Sequence, residues 1–335
     1  MKSIDALIGA GAALMVAVSP AARAEPAPPP AQANWYADYF RDARLVNISD
    51  DRRLAIHCLG QGSPTVVLES GLGDGASSWW PVQAEIAKST RVCAYDRAGL
   101  GRSPPGPLPR DTKAEVGDLE SLLEKAGVAG PYVLVGHSMG AYNVRLYASR
   151  HPDRVAGLVL VDGSVENQGQ RFSAVVPDWA KLANRNVELM RKCADPARTG
   201  AVADACIGSP PPGYPPEQLD RYRDAESAAH FAAVLSERES FDSLDSAELV
   251  AERHPFGAMP LIVLTAGSGM SGLPPEHAAN ISKTWSQMHN EVAALSSAGV
   301  NRTIDGAHHY IHGEKPEAVI AAVNEVVEKA RKRRR

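Results

Sequence analysis

Pro131-Tyr132-Val133-Leu134-Val135-Gly136-His137-Ser138-Met139-Gly140 is the stretch whose reading decides the fold. Tyr132 to Val135 is a short apolar, β-branched run, the composition of a strand buried on both faces. It runs straight into a Gly-x-Ser-x-Gly at 136–140. Ala141 to Arg150 then reads as helix, and His151-Pro152 stops it. The serine therefore stands on a strand–turn–helix. A turn that tight pushes Ser138 into a strained backbone conformation with its Oγ exposed. Only glycine two residues to either side leaves strand and helix room to pass so close. The bland reading is a Gly-rich turn with an incidental serine; the presence of both flanking elements argues against it.

Reading outward, short apolar strands and helices alternate. Arg44–Ser49 and Arg53–Leu59 form a hairpin turning at Asp50-Asp51. Pro64–Glu69 is a buried strand that ends in the glycine-dense loop Ser70-Gly71-Leu72-Gly73-Asp74-Gly75. Helix is predicted over Ser77–Ser89, strand over Arg91–Tyr95, and amphipathic helix over Asp111–Ala126. After the central turn, Val155–Val161 is a strand closed by Asp162. The alternation then breaks. Residues 163–255 hold helical patterns, such as Trp179–Arg191 and Glu226–Ser240, and a Pro/Gly-rich run from Gly208 to Pro216. It resumes with a strand at Leu261–Thr265, a helix over Glu276–Ser296, a strand at Val300–Ile304 and a final helix over Pro316–Arg331. This order predicts a mostly parallel sheet with helices on both faces. The interruption reads as a helical lid over the C-terminal strand edge, where such sheets keep their sites.

The bulk numbers set the limits. The chain has 335 residues, 44% hydrophobic and 22% charged, enough for one large core with an insertion. A formal net charge of -4 carries no nucleic-acid signature. The basic run Arg331–Arg335 reads as a solvated tail. At the other end, Lys2, an apolar stretch from Ala6 to Val18 and the small-x-small site Ala22-Arg23-Ala24 make residues 1–24 a cleavable leader. The stretch is too short for a comfortable transmembrane helix, so the expectation is export to the periplasm or medium without stable membrane insertion. Residues 25–34 form a Pro-rich linker, and residues 35–162 and 256–335 form the core. Export makes disulfides possible, and Cys58, Cys93, Cys193 and Cys206 allow three pairings.

Four segments together resemble an α/β-hydrolase: Ser70-Gly71-Leu72-Gly73; Tyr95-Asp96-Arg97-Ala98-Gly99-Leu100-Gly101-Arg102-Ser103; Gly136-His137-Ser138-Met139-Gly140; and His309 with Glu314-Lys315-Pro316. The resemblance covers nearly everything except the lid. It implies an eight-stranded sheet in which the third and fourth strands exchange places and the second is antiparallel. That order sets the strand holding Cys58 beside the strand holding Cys93. It thereby implies a Cys58–Cys93 disulfide and leaves Cys193 to Cys206 within the lid.

The resemblance also implies a catalytic triad in the chain order Ser, acid, His, because a serine hydroxyl needs a base, and the base an orienting carboxylate. Ser138 is the nucleophile. The family's base precedes Glu-x-Pro by five positions, which selects His309 over His308; His308 then stands where the family often has glycine. His312 is assigned to the surface or the pocket wall. Many members carry the acid after strand seven, but Thr265–Gly272 has no carboxylate. Others, such as the haloalkane dehalogenases, carry it at the end of strand six, where Asp162 stands; Glu166 is the runner-up and Asp305 a weaker third. The oxyanion donors implied are the amides of Met139 and Leu72.

Asp96 and Arg97 read as buried polar support, and His57 and Cys58 as core. Gly99-x-Gly101 is not a nucleotide loop, because Ser103-Pro104-Pro105 follows it instead of a helix. Trp79, Trp80, Phe172, Trp179 and Trp285 line an apolar pocket or pack the core and lid. No His/Asp/Glu cluster has metal-ligand spacing, so neither metal nor cofactor is expected. A serine in place of an aspartate excludes epoxide opening and dehalogenation and implies acyl transfer. The expected substrate is a small-molecule carboxylic ester. The alternatives are a peptide or amide substrate of the prolyl-iminopeptidase kind, and a non-catalytic binding protein that keeps the fold.

Overall fold

Alternate residues of the inner strands feed two separate cores. In the computed structural model, which describes residues 35, 38–39, 41–198, 206, 227–269 and 273–333, the sheet has eight strands. They are β1 (Arg44–Asn47), β2 (Arg53–Leu59), β3 (Thr65–Glu69), β4 (Val92–Tyr95), β5 (Tyr132–His137), β6 (Val155–Val161), β7 (Leu261–Ala266) and β8 (Gly299–Ile304). Their order is β1-β2-β4-β3-β5-β6-β7-β8, with β1–β2 and β2–β4 antiparallel and the remaining pairs parallel. The expected leader, the Pro-rich linker and the 208–216 run lie outside the described residues.

On one face, Val67, Leu134, Leu158 and Val263 pack under the helices α2 (Thr112–Lys125), α3 (Gly140–Arg150) and α9 (Pro275–Ala293). On the other, Leu68, Val135, Val159 and Leu264 pack under α1 (Trp80–Ile86) and α11 (Pro316–Arg333). Each side chain so buried contributes about 1.5–3 kcal/mol. A one-residue slip of a strand would swap the two sets, so register is strongly held.

The stretch between β6 and β7 is helical where described: α4 (Gln168–Ser173), α5 (Trp179–Asn184), α6 (Val187–Ala194), α7 (Ala228–Ser240) and α8 (Ser246–Glu252). The helix expected over Trp179–Arg191 is two helices. Asn184 and Asn186, weak helix formers, stand at the break, and Asn186 occupies the N-cap position of α6 without a side-chain capping bond. The helix expected from Ser77 begins instead as a 3-10 turn, Ala76–Trp79, with α geometry only from Trp80, where Pro81 occupies the first turn. Helix α8 is an addition to the expected elements; a π turn at Phe241–Asp245 joins it to α7. The basic tail is not simply solvated. Helix α11 reaches Arg333, and Arg331 donates to Ser63 O (2.9 Å) and Ser89 O (3.0 Å). Cys58 and Cys93 face each other across the antiparallel β2–β4 pair and are joined, with a Cα separation of 4.0 Å; Cys193 and Cys206 are joined at 5.6 Å.

Candidate active site

The turn after β5 is built by its neighbours. A Cβ on Gly136 would come within 2.6 Å of Gly140 O, and one on Gly140 within 2.6 Å of Ser70 O and 2.7 Å of Glu69 O. Two glycines therefore let helix α3 sit against both β5 and the end of β3. Between them Ser138 takes φ 50, a left-handed conformation that a non-glycine residue adopts at a cost of about 1–3 kcal/mol. The conformation is braced. Ser138 N–H donates to Val161 O (3.2 Å), and its carbonyl accepts from Ala141 N–H (3.0 Å) and Ser164 N–H (2.8 Å).

Asp162 closes β6 with φ 44, also left-handed, and its N–H donates to Leu264 O at 2.8 Å. Its Oδ2 accepts from His309 Nδ1–H at 2.7 Å, and His309 Nε2 lies 2.9 Å from Ser138 Oγ. The other carboxylate oxygen, Oδ1, accepts from Ala266 N–H (2.9 Å) and the Trp285 indole N–H (2.8 Å). Burial alone would raise the Asp162 carboxyl; the hydrogen bond and charge of His309 and the Ala266 N–H hold it below the usual range. The group therefore stays ionised and keeps His309 oriented. A carboxylate–imidazole–hydroxyl chain of this geometry can deprotonate the serine for attack on an acyl carbon.

The other sequence candidates lie elsewhere. Glu166 Oε2 pairs with Arg145 at 2.9 Å, and Asp305 is exposed. His308 is exposed and bonds Glu314 at 3.1 Å. His312 is neither on the surface nor on a pocket wall: it is 1% exposed, wedged between Trp79 and His137 at centroid distances of 4.5 Å each. It is driven inward because its short helix α10 (Ile311–Glu314) carries Ile311 into the core beneath it. Burial pushes its imidazole down to about 3. Trp79 is fully buried core, whereas Phe172 meets Trp179 edge-on (4.8 Å) and Trp285 at a tilt (5.5 Å) beside Asp162.

The loop after β3 lies against the nucleophile, since a Cβ on Gly71 would stand 3.2 Å from Ser138 Cβ. Among the described residues neither the Leu72 nor the Met139 N–H has a hydrogen-bond partner, while those of Gly73 and Asp74 are engaged. The side chains of Leu72 and Met139 pack together with Leu100 and Val234. Arg97, 2% exposed, donates to Ser70 O (2.8 Å) and Gly71 O (2.7 Å) and pairs with Glu69 (2.9 Å). Arg97 and the loop after β3 are thus held together by buried hydrogen bonds.

Three features escape a reading of the sequence. Trp285 bonds the acid from a helix far along the chain. Asp74 accepts from the Tyr310 hydroxyl at 3.2 Å, and desolvation pushes its carboxyl up to about 6 against that bond. Glu237 reaches the loop from α7. Only Glu237 leaves a trace: it continues the apolar stripe of a predicted helix, a place where a charged residue must find a partner. Among the described residues no group of three His, Cys, Asp or Glu could hold a metal ion, and no helix is long and apolar enough to cross a membrane.

Residues 64–194 match the family model described as the alpha/beta hydrolase fold. The YqjL protein of Bacillus subtilis is 25% identical over 270 residues, 81% of this chain and 86% of its own. Among solved structures, a mutant of a candidate epoxide hydrolase from Pseudomonas aeruginosa superposes with TM-score 0.63 at 21% identity, covering 87% of this chain and 97% of the other. A thermophilic esterase from Thermogutta terrifontis follows with TM-score 0.57 at 22% identity, covering 86% and 99%. Strand order, the turn after β5 and these matches agree: the chain has the alpha/beta hydrolase fold.

Proposed function

We propose that the protein is a serine hydrolase that cleaves carboxylic esters through an acyl-enzyme on Ser138. The observation that carries this reading is the unbroken chain Asp162–His309–Ser138, at 2.7 and 2.9 Å. Ser138 Oγ attacks the ester carbon as its proton passes to His309 Nε2. The carbonyl oxygen becomes an oxyanion between the Leu72 and Met139 N–H groups. Collapse breaks the C–O bond of the alcohol, which leaves with the proton held by His309. Water then attacks the acyl-enzyme with its proton taken by the same nitrogen, and the acid departs as Ser138 recovers its proton. Asp162 stays ionised throughout and stabilises the imidazolium.

The epoxide-hydrolase likeness speaks to the fold; the residue on the turn speaks to the chemistry, and it is a serine. Peptidases of the prolyl-iminopeptidase kind need carboxylates free to hold a substrate's amino terminus. Among the described residues, the insertion carboxylate at the catalytic loops is Glu237, and it is already bonded to Arg97 and Gly73. The insertion between β6 and β7 serves, in this reading, as a lid. The leader-like N-terminus and the two disulfides favour an exported protein.

A panel of p-nitrophenyl esters of graded acyl length, set against proline anilides, tests the proposal. Ester turnover should exceed anilide turnover, and Ser138→Ala should lose at least about a thousandfold in kcat/KM. A fluorophosphonate should label Ser138. Wild-type protein without turnover or adduct would instead be a binding protein on this fold.

A further inference from the structure

One stripe of α7 faces the catalytic loops. His230, Ala233, Val234 and Glu237 share a helix face by their spacing. The Nδ1–H of His230 donates to Gly99 O at 3.2 Å, and Val234 packs on Leu72, Leu100 and Met139. Glu237, 1% exposed, takes Arg97 on both oxygens, Nε to Oε1 at 2.9 Å and Nη2 to Oε2 at 3.1 Å. Its Oε2 also accepts the Gly73 N–H at 2.8 Å.

The turn that carries Leu72 is therefore gripped from two sides by one ion pair. Arg97 holds the carbonyls of Ser70 and Gly71, and Glu237 holds the amide of Gly73. Arg97 already pairs with Glu69 at 2.9 Å and Glu115 at 3.3 Å, so one guanidinium faces three buried carboxylates. A third buried carboxylate is costly to desolvate. The contact that sets it apart is the bond to the loop backbone.

We propose that Glu237 is a positioning residue: through Arg97 and the Gly73 amide it fixes the loop whose Leu72 N–H receives the oxyanion, so that the donor is set only when α7 is seated. This rests on the reading of Ser138 and Leu72 given above. A fixed donor matters because oxyanion stabilisation depends on preorganisation, and small displacements of such groups are expensive in rate.

The test compares Glu237→Ala and Glu237→Met with the wild type. Removing the carboxylate should lower kcat on a p-nitrophenyl ester about tenfold or more with KM nearly unchanged. Binding of a trifluoromethyl ketone, which forms the oxyanion, should weaken by a similar factor, while a methyl ketone of the same shape should bind as before. Glu237→Gln, which keeps an acceptor for the Gly73 N–H, should recover part of the loss. Unchanged kcat and ketone affinity in a folded variant would overturn the proposal. So would an unfolded Glu237→Met, whose Arg97 still has two carboxylate partners, because Glu237 would then be a stability residue. Absence of turnover and fluorophosphonate adduct in the wild type strikes at the reading of Ser138; wild-type turnover with indifferent variants strikes only at Glu237.

Discussion

Ser138 and Asp162 both hold positive φ, 50 and 44, at the ends of adjacent strands. Asn167 and Asp178 share that conformation, but of the four only Ser138 and Asp162 present a hydroxyl and a carboxylate to one imidazole. Asp162 needs more than a backbone. Its Oδ1 depends on Trp285 for one of two donors, and a hydrogen bond to a charged group is worth about 1.5–3 kcal/mol. Trp285→Phe keeps most of the ring and removes the donor. It should cost about tenfold in kcat with little change in KM, and steady-state kinetics will show it. Asp74 makes a second prediction. Its folded-state value of about 6 lies above the ordinary carboxyl value, so the folded state binds the extra proton and stability falls as pH rises through that window. Above it the ionised form costs on the order of 3 kcal/mol. Asp74→Asn removes that cost, so urea titrations should show a larger gain for the variant near pH 8 than near pH 4.

At the scale of elements, the strand–turn–helix was legible because its constraints are local. A β-branched run, two glycines and good helix formers leave few other conformations for Tyr132–Arg150. Glycines also make a pair of predictions of opposite sign. Gly140→Ala drives a methyl into two backbone carbonyls, at 2.6 and 2.7 Å. It should destabilise by about 2 kcal/mol or more and abolish activity, because Ser138 and the Met139 N–H move with the turn. At Gly117, in α2, an added methyl would meet nothing within 4 Å, so Gly117→Ala should stabilise by about 1 kcal/mol and leave kcat alone. Thermal melts and ester kinetics on the two variants check both. The insertion was less legible. Its helices are short and interrupted, as at Asn184–Asn186, and what holds them is contact with loops distant in sequence. Helix α8 and the π turn before it follow from no local signal.

Across the whole molecule, sheet order does the assembling. Exchange of β3 and β4 sets β2 beside β4, and so Cys58 opposite Cys93. That bridge joins residues 35 apart in sequence, and in the chain-entropy model such a loop is worth about 3–4 kcal/mol. The double variant Cys58→Ala, Cys93→Ala should lose roughly that much in urea titrations while keeping its ester kinetics, since the bridge is remote from Ser138. Ser138, Asp162 and His309 were each nameable beforehand, because each closes a strand or follows one, and the family the sequence resembles carries its reacting groups at those points. Glu166 and Asp305 were removed as acids only by what they touch or face: Arg145 in one case, solvent in the other.

The sequence by itself determined the alternation of strands and helices, the bend that bears Ser138, and the short list of partners for it. The first two are consequences of steric limits and of burial patterns a few residues long; the list of partners is what the family resemblance implies. Only the tertiary structure decided that Trp285 completes the acid's hydrogen bonds, that His312 is buried, and that Glu237 grips the loop of Leu72. The first and last depend on a desolvated polar group finding its partner across a hundred residues or more, and the second on ring packing between distant segments; no local pattern encodes those meetings.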